Sequence, residues 1–241
     1  EPVQLAGVTI RTATLHNELR EFALGSFLNC SDVGGGSCHQ CMSEGIVLPG
    51  EVVVGADSHS CTLGAFGAFA TGVGATDMAA IWLTGETWFR VPETIGIRLS
   101  GRLTGAAEAK DIALSIVGRL GMDGATYKAL EFVGDGVATL TMDDRLTICN
   151  LAVETGAKAG MFSADRITLQ YLARFGQTVE EQAPERSVYE QEIEIELDDV
   201  PPVVAIPPRV DSIRAVHDLT GLALDRVVVR LDRGIGGGCR A

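Results

Sequence analysis

The chain has 241 residues, of which 46% are hydrophobic, so it can form one large domain or two smaller domains with a sizeable core. Its formal net charge of −13 argues against a basic face that binds nucleic acid or an anionic membrane surface. The sequence has no apolar run of membrane-spanning length and no signal-peptide pattern at Glu1, which predicts a cytoplasmic protein without a membrane partner.

Residues 14–22 show the spacing of an amphipathic helix. The apolar stripe of this segment consists of Leu15, Leu19 and Phe22. Thr14 has a hydroxyl that can cap the helix at its N-terminus, and Gly25 stands near its end. We therefore expect the first helix of the protein here.

Six cysteines are present: Cys30, Cys38, Cys41, Cys61, Cys149 and Cys239. Without a secretion signal, a disulfide scaffold is not expected in a chain of this length. Cys38 and Cys41 have the spacing of half a zinc site or of a redox pair, and Cys30 and His59 are available as further zinc ligands. The alternative is that the clustered cysteines are small buried residues of a tight fold.

Three valines at residues 52–54 predict a strand that is covered on both faces, as in a parallel sheet. Gly55 permits a sharp exit, and Asp57, Ser58 and His59 follow where ligands bind in open α/β sheets, at the carboxyl end of a strand. If the strand geometry continues, Asp57 and His59 share one side and form a proton-transfer or metal-ligand pair. The alternative is a turn in which Asp57 caps the next segment and His59 bonds to the backbone.

Residues 64–77 are nearly free of charge and rich in glycine, which lets the backbone approach another backbone or a ligand closely. They do not form a dinucleotide fingerprint, because Asp77 stands where a third glycine or alanine belongs. A helix over residues 78–83 follows, with Thr76 or Asp77 as its cap and Gly85 after its end.

From residue 93 onward, the sequence alternates between strand and helix patterns. Strands are predicted at residues 94–99, 127–132, 192–197 and 227–229, helices at residues 110–120 and 141–158, and an exposed linker at residues 174–190. In the second of these strands, Glu131 shares a face with Tyr127 and Ala129, and an ionised glutamate among apolar neighbours is costly to bury unless it is paired or used. The alternative is a half-exposed glutamate with no special role.

Several motifs occur in an order that resembles the aconitase family, and most of all the large subunits of 3-isopropylmalate dehydratase and the homoaconitases. The matching motifs are Cys38-His39-Gln40 and residues 49–59, 64–79, 85–94, 123–132 and 149–154. The resemblance covers residues from about 11 to 229. It implies aconitase-like three-layer α/β/α domains with mainly parallel sheets, in an incomplete set: a partial first domain at residues 1–92, a second at 93–190 and the start of a third at 191–241.

The resemblance also implies an activity. Members of the family are hydro-lyases that dehydrate and rehydrate a small hydroxy acid such as 3-isopropylmalate, an intermediate of leucine biosynthesis. They do so with a 4Fe-4S cluster held by three cysteines, and the cluster acts as a Lewis acid. By motif, His39 corresponds to the histidine near the leaving hydroxyl. Asp57, Ser58 and His59 correspond to the triplet around the bound water and hydroxyl, and Glu131 to a glutamate that handles the hydroxyl proton.

The sequence departs from the family pattern at both ends. Family members begin with a longer segment that ends in an Asp-His motif, and in them the strand that matches residues 227–229 leads into a cysteine-containing turn where this chain has Arg230. The cluster cysteines and substrate arginines of the family have no counterparts here. We therefore expect an internal piece of a dehydratase, which binds no cluster and is inactive alone, and whose partner is a small swivel-domain subunit. The alternative is a non-catalytic or zinc-binding module that uses the segment between Cys30 and Cys41.

Overall fold

The computed structural model describes residues 9–26, 28, 38–182, 188–223 and 226, without the side chains of residues 12 and 13. The α-helices are α1 (Ile10–Gly25), α2 (Cys38–Ser43), α3 (Ala75–Thr84), α4 (Ala109–Leu120), α5 (Met142–Leu151) and α6 (Arg166–Ala173). The strands are β1 (Val52–Gly55), β2 (Phe69–Gly72), β3 (Thr94–Ser100), β4 (Ala129–Val133), β5 (Ala159–Phe162), β6 (Gln191–Glu196), β7 (Val203–Ala205) and β8 (Ile213–Ala215). Short 3₁₀ helices cover Ser58–Phe66, Asp135–Thr139, Ala152–Thr155, Leu197–Asp199 and Val216–Leu219.

Four parallel strands form the main sheet, in the order β5-β4-β3-β6. Helices separate these strands along the chain, as parallel pairing requires, because a crossover must return the chain to the same end of the sheet. The mainly parallel α/β fold class expected from the sequence is confirmed. The predicted helix over residues 110–120 is confirmed as α4, and the strand predicted at residues 192–197 is β6.

The core lies on the faces of this sheet. Ile95, Ile97 and Leu130 are fully buried, and Ile112 of α4 packs in the same cluster. On β4 and β5, the rings of Phe132 and Phe162 stack with their centroids 4.6 Å apart. Burial of such side chains stabilises each by about 1.5–3 kcal/mol relative to exposure, so this cluster holds the sheet and its helices together.

A second, two-stranded sheet precedes the main sheet in the chain. β1 pairs in parallel with β2, with Val52 opposite Phe69. The prediction that β1 is covered on both faces is wrong, since Val52 is 66% exposed and Val53 and Val54 are half-buried. The physical reason is that, within the described residues, β1 has β2 as its one strand neighbour.

Close backbone contact occurs in the glycine-rich segment, as the sequence predicted. A Cβ built on Gly64, in the 3₁₀ helix Ser58–Phe66, would clash with the backbone oxygen of Gly160 in β5. Glycine is therefore required where this 3₁₀ helix lies on β5. The contact brings the segment after β1 against the edge of the main sheet.

Several helix and strand boundaries differ from the prediction. Helix α1 begins at Ile10, and Thr14 is not its cap but lies inside it, where its Oγ1 donates to the Ile10 carbonyl at 3.0 Å. Helix α3 begins at Ala75 with Gly74 as its cap, although Gly85 does end it in a left-handed conformation, as predicted. Helix α5 ends at Leu151 rather than near residue 158, because a 3₁₀ turn and the left-handed Gly156 stop it before β5. Strand β4 begins at Ala129 rather than residue 127.

The chain divides into two compact units, up to Cys41 and from Met42 onward. Within the second unit, β6 pairs with β3, so the main sheet continues past residue 190, where the sequence suggested a boundary. The domain boundaries after residues 92 and 190 stay predictions. The predicted strand at residues 227–229 lies outside the described residues. None of the described helices is long and apolar enough to cross a membrane.

Candidate active site

Asp57, Ser58 and His59 lie just beyond the carboxyl end of β1, which ends at Gly55. The chain does not continue as a strand there: Asp57 is the cap of the 3₁₀ helix Ser58–Phe66, and its Oδ1 accepts from the His59 backbone N–H at 2.7 Å. The expectation that Asp57 and His59 share one side of an extended strand is therefore wrong, and the capping alternative describes the backbone. Asp57 and Ser58 are exposed, while His59 is half-buried.

The ring of His59 is oriented by the main chain of α5. Its Nδ1 lies 3.1 Å from the carbonyl oxygen of Asn150. Because a carbonyl oxygen can only accept, Nδ1 is the protonated nitrogen in this contact, and Nε2 of the neutral ring is the basic atom. Within the described residues, the ring's hydrogen bond is the one at Nδ1, and Nε2 is left for a ligand. A half-buried imidazole held in this way can exchange a proton with a bound molecule through Nε2.

Asn150 also holds the 3₁₀ helix through its side chain. Its Nδ2 donates to Oγ1 of Thr62 at 2.8 Å, and that hydroxyl donates to the His59 carbonyl at 2.7 Å. Thr62 is fully buried, so both bonds are shielded from water. From the sequence, Asn150 was recognisable only as part of the motif at residues 149–154. Its polar side chain in the middle of an otherwise apolar helix end was the available signal.

Two buried thiols lie beneath the same segment. The Sγ of Cys61 approaches the Asn150 carbonyl at 3.6 Å, and burial raises the pKa of Cys61 to about 12. Cys149 is fully buried, and burial together with the neighbouring Cys61 raises its pKa well above the ordinary value. Both thiols therefore stay protonated at neutral pH and behave as small core side chains.

A cavity of about 390 Å³ opens beside Ser58. Its wall includes Thr71 and Gly72 from the end of β2, and Gly156 and Lys158 from the turn that leads into β5. The cavity thus lies at the carboxyl ends of β1 and β2, where ligands bind in parallel α/β structures. Its volume suits a small organic acid.

Glu131 lies in β4, opposite Gly96 of β3 and Met161 of β5. Glu131 is half-buried. Among the described residues, it makes no hydrogen bond to Asp57 or to His59. The prediction that Glu131 and Tyr127 share one face of a strand is wrong. Tyr127 precedes β4 and adopts a left-handed conformation, with φ 58°. The assignment of a proton-handling role to Glu131 stays a prediction.

His39 belongs to the unit that ends at Cys41, in helix α2. It is half-buried, and its Nδ1 lies 2.9 Å from Sγ of Cys38. Among the described residues, no group of three or more histidines, cysteines, aspartates or glutamates is placed to hold a metal ion. Cys30 and Cys239 lie outside the described residues, so the zinc hypothesis stays a prediction.

Known proteins resemble this chain over almost its whole length. The pattern of the aconitase family (aconitate hydratase) matches residues 5–226. The 3-isopropylmalate dehydratase large subunit 1 of Methanopyrus kandleri is 43% identical over 232 residues, which is 94% of this chain and 55% of that protein. The probable methanogen homoaconitase large subunit of Methanothermobacter thermautotrophicus is 46% identical over 221 residues, 90% of this chain and 52% of that protein.

A third relative, the 3-isopropylmalate dehydratase large subunit of Syntrophus aciditrophicus, is 49% identical over 189 residues, which is 77% of this chain and 45% of that protein. The chain thus spans about half the length of the relatives that it matches. The matched region contains the capped segment at Asp57, the histidine oriented by Asn150 and the cavity beside Ser58. The chain belongs to the aconitase family.

Proposed function

We propose that this chain forms part of the active site of a hydro-lyase that dehydrates and rehydrates a small hydroxy acid such as 3-isopropylmalate, a reaction of leucine biosynthesis. The observation that supports this most is the His59 imidazole, fixed at Nδ1 by the Asn150 carbonyl and placed beyond the carboxyl end of β1. Relatives named 3-isopropylmalate dehydratase and homoaconitase large subunits support the substrate class.

Removal of water from a hydroxy acid needs a group that exchanges a proton and groups that hold the leaving hydroxyl. The His59 ring, bonded at Nδ1, supplies Nε2 for the proton. The exposed Asp57 carboxylate and Ser58 hydroxyl are placed to bind a hydroxyl or carboxylate of the substrate. We assign His39 and Glu131 to the same reaction on the family motif alone.

The family resemblance implies a 4Fe-4S cluster, and the described donor set does not fit one. Cys61 and Cys149 are buried with raised pKa values, whereas a cluster ligand must be a thiolate. We therefore propose that a cluster belongs to the complete family protein, that this chain holds none and is inactive alone, and that a small subunit completes the enzyme.

A chimera tests the proposed function. Residues 5–226 of this chain would replace the matched segment of the Methanopyrus kandleri large subunit, and the product would be assayed with its small subunit for dehydration of 3-isopropylmalate. We expect activity in the chimera, and a loss of about 100-fold or more in kcat for His59→Gln and for Asp57→Asn, as general acid–base groups contribute. His217→Gln, an exposed histidine far along the chain, is the matched control and should leave kcat unchanged.

Two outcomes would count against the proposal. One is a folded chimera with its cluster assembled but no turnover of either 3-isopropylmalate or homoaconitate. The other is a His59→Gln chimera that keeps the full rate, since the ring of His59 would then take no part in the reaction.

A further inference from the structure

Two cationic side chains converge on the ring of Tyr127. The Cζ of Arg90 lies 4.9 Å from the ring centroid, and the Nζ of Lys158 lies 5.2 Å from it. Each distance is within the range of a cation–π contact. Both cationic side chains therefore contact the same aromatic ring.

The backbone around this cluster is strained and tied down. Tyr127 adopts φ 58°, a left-handed conformation that is uncommon for a bulky residue. Its N–H donates to the Gly156 carbonyl at 3.3 Å, and the N–H of Lys158 donates to the Lys128 carbonyl at 2.8 Å. These hydrogen bonds join the turn before β4 to the turn before β5. They fix the backbone from which the Lys158 side chain extends.

The charge of this cluster is not neutralised by the described part of the chain. No described carboxylate lies within 4 Å of the Lys158 ammonium or the Arg90 guanidinium, although the net charge is −13. Lys128, only one residue from Tyr127, does pair with Glu190. Two cations that share one ring and have no ion-pair partner among the described carboxylates indicate that the site suits an external anion.

Lys158 also lines the 390 Å³ cavity, together with the exposed Ser58. A lysine ammonium and a serine hydroxyl are both hydrogen-bond donors, and the glycines of the wall let a ligand approach the backbone. We propose that Lys158 and Ser58 bind one carboxylate of a dicarboxylic hydroxy acid, with Arg90 adding positive charge and Tyr127 positioning both cations. This inference rests on the proposed function and names the group that receives a second carboxylate of the substrate.

Direct binding to the full 241-residue chain tests this subsite without turnover. Calorimetry would compare 3-isopropylmalate with 2-hydroxy-4-methylpentanoate, which has the same carbon skeleton without the second carboxylate. We expect the dicarboxylate to bind at least about tenfold more tightly, and Lys158→Gln to remove that advantage, as the loss of a charged hydrogen bond implies. Lys158→Arg should keep most of it, and Lys110→Gln, an exposed lysine on α4, should change neither affinity.

Ser58→Ala provides a second variant should Lys158→Gln not fold, as judged by circular dichroism; it too should weaken dicarboxylate binding. Equal affinity of the wild type and Lys158→Gln for the dicarboxylate would overturn the subsite, and so would a wild type that binds neither compound at about 10 mM. These results are independent of the proposed function, which is judged by turnover of the chimera. Dicarboxylate binding that depends on Lys158, with no turnover in the chimera, would leave the subsite standing and remove the proposed function.

Discussion

The imidazole of His59 and the backbone carbonyl of Asn150 meet at 3.1 Å although 91 positions separate them in the sequence. This contact decides which ring nitrogen is protonated, and it ties the loop after β1 to helix α5. The chemistry that we propose for His59 therefore depends on helix α5, although the sequence motif around Asn150 does not indicate this contact.

The buried hydroxyl of Thr62 offers a test of this arrangement. It accepts from Asn150 Nδ2 and donates to the His59 carbonyl, so Thr62→Val leaves both partners unsatisfied while it keeps the side-chain shape. We expect the free energy of unfolding to fall by about 1–3 kcal/mol, measured by urea denaturation. Thr147→Val is the control, since its hydroxyl bonds only within helix α5, and it should stay within about 0.5 kcal/mol of the wild type.

Arg145 and Asp165 form an ion pair in which the arginine side chain is buried and the aspartate is partly exposed. Arg145 is fully buried and donates to both carboxylate oxygens, at 2.8 Å and 2.6 Å. Asp165→Ala would leave that guanidinium without its anion and remove the cap of helix α6, so we expect a loss of about 3–5 kcal/mol. The exposed pair of Arg98 and Glu192 is the contrast: Glu192→Ala should cost less than about 1 kcal/mol. Similar losses in the two variants would contradict this account.

The same pair predicts how stability changes in acid. Burial of Asp165 opposes its ionisation, but the hydrogen bond and charge of Arg145 outweigh burial, and its pKa is lowered from the ordinary 3.8. A lowered folded-state pKa means that the unfolded chain takes up the proton first, so stability from this group is present above pH 3.8 and is lost as the pH falls below it. Asp165→Asn should lose less stability than the wild type between pH 5 and about pH 2 in urea titrations. An equal loss in both proteins would show that other carboxyl groups account for acid unfolding.

Cysteine reactivity should follow burial. Cys38 is exposed, while Cys61 and Cys149 are buried and burial raises the pKa of both thiols, to about 12 for Cys61. Because the thiolate is the reactive form, iodoacetamide at about pH 8 should label Cys38 and spare the two buried thiols until urea is added. Mass spectrometry of the digested protein measures the labelled fraction. Labelling of Cys61 in the native protein at the rate of Cys38 would contradict its burial.

Metal content separates the dehydratase scaffold from the zinc-binding alternative. After anaerobic purification and cluster reconstitution, we expect no stoichiometric iron with sulfide, because Cys61 and Cys149 are buried thiols with raised pKa values, whereas a cluster ligand must be a thiolate. Bound zinc that is lost in Cys41→Ser would support a site between Cys30 and Cys41. Iron with matching sulfide would instead overturn the proposal that this chain holds no cluster.

Local sequence patterns were sufficient to predict where much of the main sheet lies in the chain. Alternating and continuous apolar runs located β3, β6 and α4 because their side chains repeat with the period of a strand or a helix. The position of Asp57 and His59 after a strand was likewise evident from the valines before them. Boundaries were less predictable: Tyr127 fits a strand by composition, yet its left-handed backbone excludes it from β4.

What the sequence determined by itself is the family, the parallel α/β architecture and the identity of the polar residues after β1, since each depends on neighbours along the chain. Only the tertiary structure decided that Asn150 orients His59, that Lys158 shares a cavity with Ser58, and that Val52 stays exposed. The first two features join segments that are about 90 or more residues apart in the sequence, and the third depends on what covers a strand. All three follow from how the sheets and helices pack.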